Sequence, residues 1–509
     1  MIAFNHTRRD LLRGGGALSV LGAGAPLALQ LAAASTAAAA TAGDYKALVC
    51  IFLLGGNDGH NTVLATDADT WGRYSSARSG GITPIALMPV GTAPTPPPAS
   101  PADMTPANWG GVLPIVPKTP QPVPPGTNAK SRTFAVHPYM PEVQSLFAAG
   151  RLAVMANVGP LLQPVAKPQY SPNSPLLPGN LCSHIDQQMF WQSAYAAQGK
   201  QGGWGGAAAD LLSGLNPANS PYTSISLTGG ALFLTGLRTG QYAISPGPLP
   251  ATTITALQSP TTNGNAPTDP ADLSLVIQDT SSLSGFANDY AGMVTQSIAS
   301  ATYVNTAVAA SPQVLAPPPY KSPFSGVSSP NPLAAQLQGV AAMIAAAPRM
   351  GIRRQVFFVV QEAYDNHNYQ NAVHPDLLGQ LSQALAYFDA ALRNVGGADI
   401  SAAVTTFTAS EFGRTLTSNG TGTDHGWGSH HFVMGGAVKG GDIYGVYPTI
   451  GIDSGSFNNP DMVGDYLIPT TAMDQYAATL GAWLGVAPTD LNTIFPNLVK
   501  FAPTNLGFV

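Results

Sequence analysis

The acidic and histidine residues that could do chemistry stand close to the ends of apolar segments. They lie in residues 57–58, 361–367, 410–414 and 422–431. Carboxylates and neutral imidazoles, without thiolates, are suitable ligands for Zn²⁺, Mn²⁺, Mg²⁺ or Ca²⁺. These residues therefore indicate a divalent-metal site, with the identity of the metal left open. Five of the nine histidines lie between His367 and His431, and a solvated polar loop would also explain that concentration.

The segments that must position these residues are continuous apolar runs. Residues 46–54 read K-A-L-V-C-I-F-L-L and precede Asp58, residues 354–360 precede Asp365, and residues 402–408 precede Glu411. Continuous rather than alternating apolar character predicts strands that are buried on both faces, as in parallel sheets. Because ligand sites in open α/β sheets form beyond the carboxyl ends of the strands, we expect the candidates to meet there.

Predicted strands alternate with predicted helices along the chain. Further strands are predicted at 151–158, 222–227 and 432–438, and helices at 138–150, 183–191, 286–302, 333–347, 376–394 and 470–484. This alternation predicts an α/β fold in which a mainly parallel central sheet is sandwiched by helices. Residues 43–509 are expected to form one domain with a proline-rich surface insertion at about 84–126 and an insertion rich in Ser, Thr and Pro at about 246–330.

The first 42 residues have the layout of a twin-arginine signal peptide. Arg8 and Arg9 precede an apolar stretch rich in Gly and Ala, and A-T-A at 40–42 is a plausible cleavage site. An anchoring transmembrane helix is the alternative, but the glycines and the proline of the stretch disfavour it. The sequence therefore predicts recognition by the twin-arginine export machinery, a periplasmic or secreted protein, and no membrane span in the mature form.

The overall composition disfavours several classes of protein. Charged residues make up 9% of the 509 residues, and 21 basic residues face 26 acidic ones. No basic excess is available to neutralise phosphates, so nucleic acid is not an expected partner. Two cysteines exclude both a disulfide scaffold and a zinc site with cysteine ligands.

Several motifs together resemble the domain-of-unknown-function family 1501. They are G-G-N-D-G-H-N-T at 55–62, Y-D-N-H-N-Y-Q at 364–370, S-E-F-G-R-T at 410–415, G-T-D-H-G-W-G at 422–428 and D-Q-Y-A-A-T-L-G-A-W-L-G at 474–485. The resemblance covers nearly the whole mature chain apart from the two insertions. That family is similar to a twin-arginine-exported branch of the alkaline phosphatase and sulfatase superfamily. The resemblance thus implies an alkaline phosphatase-like fold and a two-metal site.

The resemblance also assigns roles to individual residues. The metal ligands would be Asp58, Asp365, His367, Glu411 and His425, with Asp424 beside the last. Ser183 matches the nucleophile position, although Ser183-x-x-Asp186 also fits a helix capping box. Thr62 is a weaker alternative nucleophile. His184 could stabilise the leaving group or simply pack at the helix start, and Arg414 could bind the ester anion or pair with Glu411.

Two departures from the superfamily pattern limit this assignment. Phe412 stands where many relatives have a second ligand, so one metal would be loosely held or absent. Cys182 is followed by S-H-I-D-Q rather than the C-x-P-x-R maturation pattern, which disfavours a formylglycine sulfatase.

The sequence analysis thus leads to two hypotheses. The first is an exported metal-dependent hydrolase of phosphate or sulfate esters that acts on a small-molecule or polymer substrate. The alternative is a non-catalytic secreted or cell-surface binding or assembly protein built on the same fold.

Overall fold

A computed structural model describes nine ranges of the chain, which together include all of the candidate site residues. The ranges are 44–124, 130–171, 174–194, 202–218, 220–248, 277–279, 281, 284–322 and 325–509. The predicted signal peptide at 1–42 and most of the first half of the insertion at 246–330 lie outside the described residues.

The fold is built on a nine-stranded sheet. Its strands are β1 (Lys46–Leu53), β2 (Leu152–Gly159), β3 (Ser224–Ser226), β4 (Gln241–Ala243), β5 (Arg354–Gln361), β6 (Val404–Ala409), β7 (Ser429–Met434), β8 (Ile443–Tyr444) and β9 (Thr471–Ala472). The order across the sheet is β8-β2-β7-β6-β1-β5-β3-β4, and β9 pairs with β2. The strands that precede the candidate residues, β6, β1 and β5, are therefore neighbours.

The sheet is mixed, because one of its strands, β7, is antiparallel to both of its neighbours. Strand β1 runs parallel to both β5 and β6, whereas β7 runs antiparallel to both β6 and β2. The reason lies in the connection between β6 and β7, residues 410–428, which contains no helix. Without a crossover helix, the chain enters β7 from the edge at which it left β6, so the two strands must be antiparallel.

Helices flank the sheet. They are α1 (Ala68–Arg78), α2 (Pro141–Ala148), α3 (His184–Ser193), α4 (Trp204–Leu212), α5 (Gly285–Ala309), α6 (Pro332–Ala346), α7 (Gln370–Leu392), α8 (Met473–Leu484) and α9 (Pro488–Ile494), besides single turns such as Gly59–Thr62. Each helix predicted from the sequence is present with shifted ends. The largest shift is in α5, which ends at Ala309 rather than at 302, and α7 begins at Gln370 rather than at 376 and contains Pro375 in its second turn. Among the described residues, no helix combines the length and apolar character that crossing a membrane requires.

Strand β1 shows why the apolar runs are continuous. Ala47, Val49, Ile51 and Leu53 belong to one buried cluster, which includes apolar residues of α6 and α7. The alternate residues Leu48, Cys50 and Phe52 belong to another, which includes residues of α4 and α8. Both faces of the strand are buried, as predicted, because the helix layers on both sides require apolar partners.

The prediction that the proline-rich insertion lies only on the surface is wrong. It contributes the strand Leu113–Ile115 to a small three-stranded sheet with Val63–Ala65 and Phe134–Val136. Leu87, Met104 and Trp109 within the insertion are buried in the main core cluster. The proline content did not predict this burial, because apolar residues between prolines can pack against a core even where the backbone is irregular.

A candidate metal centre at the strand ends

The topology brings the candidate residues to one edge of the sheet. Strands β5, β1 and β6 are parallel neighbours and end at this edge, and the antiparallel β7 begins there. Two glycines after β1 let the strand ends approach closely. A Cβ atom on Gly55 would lie 2.4 Å from the backbone nitrogen of Asp365, and one on Gly56 would lie 2.2 Å from the ring of Phe412. Both glycines also have positive φ angles, +120° and +85°, which favour glycine.

Four side chains from three segments face one another at this edge. Ligand atoms of His184, Asp365 and His425 all lie within 4.8 Å of one another. The Nε2 atoms of His184 and His425 are 3.5 Å and 3.3 Å from oxygens of the Asp365 carboxylate. His367 lies beside these three, outside the group within 4.8 Å: its Nε2 is 3.2 Å from Asp365 and 2.8 Å from Nε2 of His425. We refer to His184, Asp365, His367 and His425 as the imidazole cluster.

Each imidazole of the cluster has an acceptor at its other nitrogen. The Nδ1 pairs are His184 with Glu411 (2.9 Å), His367 with Asp424 (3.0 Å) and His425 with the carbonyl oxygen of Cys182 (2.8 Å). An acceptor at Nδ1 favours the tautomer with its proton there, which leaves the Nε2 lone pair free to face the cluster. Metal-ligating histidines in proteins have this arrangement.

The short separation between the Nε2 atoms of His367 and His425 indicates whether a cation fits beside them. In the tautomers set by the Nδ1 acceptors, His367 and His425 direct lone pairs at each other across 2.8 Å. Two lone pairs at that distance repel, and either a proton or a shared cation removes the repulsion. Three imidazoles and a carboxylate also match the donor types that Zn²⁺ prefers. The residues of the cluster therefore fit a divalent metal ion.

Charged neighbours shift the pKa values of the cluster. The hydrogen bond to Glu411 raises the pKa of His184, while burial lowers the pKa of His425. Burial opposes ionisation of Asp365, but the hydrogen bond and charge of Arg414 hold its pKa below the ordinary value. The carboxylate is therefore ionised at neutral pH and available as a ligand.

Glu411 lies behind the cluster as a hydrogen-bond acceptor. Its side chain is fully buried, and Oε1 accepts from the backbone nitrogen of Gly55, from Nδ1 of His184 and from the amide of Gln188, each at 2.9 Å. Predicted as a ligand, Glu411 is placed by the structure to orient a ligand. Asp424, also a predicted ligand, has the same relation to His367.

Arg414 has four of its five N–H donors committed to the protein. Nε donates to the carbonyl of Gly56, Nη1 to that of Thr423, and Nη2 to the carbonyl of Gly55 and to the carboxylate of Asp365. The side chain is buried. Its carboxylate partner is Asp365 rather than Glu411, and the geometry favours a role in positioning Asp365 over binding a substrate anion.

Neither hydroxyl considered as a nucleophile is free in this structure. Ser183 is the N-cap of α3: its Oγ accepts from the backbone nitrogen of Asp186 and donates to the Asp186 carboxylate at 2.6 Å. Thr62 is buried, and its hydroxyl donates to the backbone carbonyl of Asp58 at 2.7 Å. Ser183 therefore caps the helix, as the alternative expected, but the reciprocal bond of a capping box is not formed, because the backbone nitrogen of Ser183 donates to the carbonyl of Asn180.

Asp58 lies outside the imidazole cluster. Its Oδ2 is 2.5 Å from Nη1 of Arg78 and its Oδ1 is 2.9 Å from Nη2, so the two side chains form a bidentate ion pair. Gln370 adds a hydrogen bond of 2.6 Å, and both charged side chains are almost completely buried. We call Asp58 and Arg78 the buried pair. This carboxylate already has its countercharge, so it does not fit a role as the ligand of a second ion.

Phe412 closes the cluster from behind. Its ring centroid is 4.8 Å from that of His184 and 4.5 Å from that of His425, and the side chain is buried. An apolar ring occupies the position where the superfamily resemblance would call for a second ligand. The geometry therefore supports one ion rather than two.

Sequence reasoning missed His184 as a member of the donor set. Its predicted chemical role was leaving-group stabilisation. It lies about 180 residues before Asp365, and it is at the start of a helix rather than after a strand. The only signal was its position next to the helix start at Ser183, which does not reveal where the helix lies relative to the sheet.

The chain matches a known protein family. A family model described as "Protein of unknown function (DUF1501)" matches residues 45–494. No curated protein matches the sequence. Because the match covers most of the chain, including every residue of the imidazole cluster, the protein belongs to the DUF1501 family.

Proposed function

We propose that this member of the DUF1501 family is an exported, metal-dependent hydrolase of phosphate or sulfate esters with an alkaline phosphatase-like fold. The observation that carries the proposal is the orientation of the imidazole cluster. Three Nε2 atoms face one carboxylate, and all three Nδ1 atoms are held by acceptors. An arrangement that fixes both nitrogens of three imidazoles is the kind that metal ligation requires.

The donor set favours a single Zn²⁺ ion. Ligands bound tetrahedrally to zinc at about 2.0–2.1 Å are roughly 3.3 Å apart. His184 and His425 lie 3.5 Å and 3.3 Å from oxygens of Asp365, close to that value. Mg²⁺ and Ca²⁺ prefer sets made only of oxygen atoms, so they are weaker candidates.

The chain's own residues determine what such an ion could do. A divalent ion bound here would polarise an ester oxygen and activate water. Arg414, which also donates to the carbonyl of Gly55, holds Asp365 in place, while Asp365 and His367 keep 46% and 37% of their side-chain surface exposed. Substrate can therefore reach the cluster from solvent. Because the hydroxyls of Ser183 and Thr62 are engaged, we propose solvent water rather than a side chain as the nucleophile.

Metal analysis and ester hydrolysis test this function together. We expect purified mature protein to bind about one Zn²⁺ per chain and to hydrolyse an aryl phosphate or sulfate ester after loading with Zn²⁺, Mn²⁺ or Ca²⁺. His425→Ala and His367→Ala should lose both properties. Asp453→Ala, which removes an exposed carboxylate paired with Lys167, serves as the matched control and should keep both.

The alternative function makes a different prediction in the same experiment. A binding or assembly protein would hold the metal for stability alone. His425→Ala would then lower the melting temperature measured with metal, and no ester would be turned over by either protein. Absence of both bound metal and turnover would refute the hydrolase proposal.

Export is tested separately. Replacing both Arg8 and Arg9 by Lys should retain the full-length protein in the cytoplasm, because the twin-arginine machinery reads that pair. Fractionation of cells that express the variant and the unchanged chain measures the effect.

A further inference from the structure

The carboxylates at the cluster make its open side acidic. Asp365 and Asp424 expose 46% and 60% of their side-chain surface, and Glu411 lies buried behind them. Aspartates that are this exposed are ionised at neutral pH, because the ordinary pKa of an aspartate is about 3.9. A ligand that enters the cluster from solvent therefore meets two negative charges.

The positive charge near these carboxylates is limited. Arg414 is the only lysine or arginine that pairs with any of the three among the residues that the structure describes. Its guanidinium is buried and four of its five N–H donors are engaged, so it compensates Asp365 rather than binding a ligand. The N-terminus of α3 adds a partial positive charge, which Asp186 in its first turn offsets.

The charge balance then limits what the loaded site can bind. Three carboxylates against one guanidinium leave two negative charges, when the three imidazoles are neutral as ligands. One divalent cation brings this total to zero. A site without surplus positive charge has no electrostatic preference for a dianion, and its two exposed carboxylates repel one.

We propose that this site selects esters with a single negative charge, namely phosphate diesters or sulfate monoesters, and disfavours phosphate monoesters. The inference rests on the proposed hydrolase function and deepens it. At pH 8 a phosphate monoester is a dianion, because its second pKa is about 6, whereas the diester and the sulfate monoester carry one charge. The second charge has no partner in the cluster and lies near Asp424, the exposed carboxylate that Arg414 does not pair with.

Binding and turnover test the proposal with small probes. Calorimetry on the zinc-loaded protein at pH 8 would compare dimethyl phosphate, methyl sulfate and methyl phosphate. Turnover would compare bis(4-nitrophenyl) phosphate, 4-nitrophenyl sulfate and 4-nitrophenyl phosphate. We expect at least one monoanion to be favoured over the dianion by about ten-fold or more in both Kd and kcat/KM. The two monoanion arms separate a phosphodiesterase from a sulfatase.

A charge variant gives a second measurement. Asp424→Asn removes one exposed charge and should narrow the preference for monoanions, with metal content measured in parallel because Asp424 also orients His367. Asp453→Asn removes a carboxylate that is paired with Lys167 and should leave the preference unchanged.

The outcomes separate the two proposals. Turnover with equal or tighter binding of methyl phosphate would overturn the charge selection and leave the hydrolase function standing. A protein that binds no metal and turns over none of the three aryl esters would overturn both.

Discussion

The buried pair and the imidazole cluster lie at the same edge of the sheet but satisfy their carboxylates in opposite ways. Asp58 follows β1 and meets Arg78, which α1 brings in at 2.5 Å and which no solvent reaches. Asp365 follows β5, remains 46% exposed and meets three imidazoles besides Arg414. A carboxylate at a strand end thus becomes either a structural ion pair or a potential ligand, depending on which partners other elements deliver.

Solvent access sharpens this contrast. A buried carboxylate with a fixed guanidinium is costly to disturb, because removal of either partner leaves an unpaired charge in a medium of low polarisability. The exposed cluster can lose a side chain at small cost, since water solvates what remains. Variants in the two regions should therefore fail differently, the first in stability and the second in metal binding.

The largest expected effect is in the buried pair. Arg78→Met keeps the approximate volume but leaves Asp58 buried without its countercharge, and should lower the free energy of unfolding by about 3–5 kcal/mol. Urea denaturation of the metal-free protein measures the loss. His425→Ala should lower the free energy of unfolding much less, because the His425 side chain is 23% exposed in the wild type. A loss below about 1 kcal/mol for Arg78→Met would contradict the contrast between the regions.

Acidic pH should weaken the buried region next. Burial lowers the pKa of His374 to about 4, whereas an unfolded histidine titrates near 6.5. Below pH 6.5 the unfolded chain therefore binds the extra proton, so the free energy of unfolding falls as pH falls. Between pH 7 and pH 5 we expect a loss on the order of 1–2 kcal/mol from this group.

The matching variant isolates that histidine. His374→Gln retains a donor for the hydrogen bond to Asn57 but cannot titrate. Urea denaturation at pH 7 and pH 5, with a chelator present, should show a smaller pH dependence for the variant. Identical pH dependence in both proteins would mean that His374 does not contribute.

In the cluster, a variant beyond the direct donors should act on metal binding alone. Asp424→Asn removes the carboxylate that fixes Nδ1 of His367, and should weaken zinc affinity by about 10–100-fold. Competition with a zinc chelator measures the change. Unfolding without metal should be nearly unaffected, and an equal loss of stability would place Asp424 in the same class as the buried pair.

The smallest expected effect distinguishes two roles of one hydroxyl. Ser183→Ala removes the N-cap of α3 and should cost about 1 kcal/mol of stability. Since we propose water as the nucleophile, kcat for an aryl ester should fall only modestly. Complete loss of turnover with metal still bound would instead identify Ser183 as the nucleophile.

Much of the architecture was predictable because its signals are local. The apolar runs at 46–54 and 354–360 correspond closely to β1 and β5, and the predicted helix at 286–302 lies within α5. The direction of β7 was not predictable from its own residues, since an apolar strand has the same pattern in either direction. It depends on the connection across 410–428, which only the folded chain reveals.

The candidate site also has features that the sequence predicted and features that it did not. The sequence by itself determined that acids and histidines follow β1, β5 and β6, because the order of residues along the chain places them directly after the apolar runs. They stand out because only 9% of the residues are charged. Only the tertiary structure decided that Arg78 neutralises Asp58, that α3 brings His184 to Asp365, and that Glu411 lies behind an imidazole. The physical reason is that residue type sets what a side chain can bind, whereas the partner it meets depends on contacts between elements far apart in the chain.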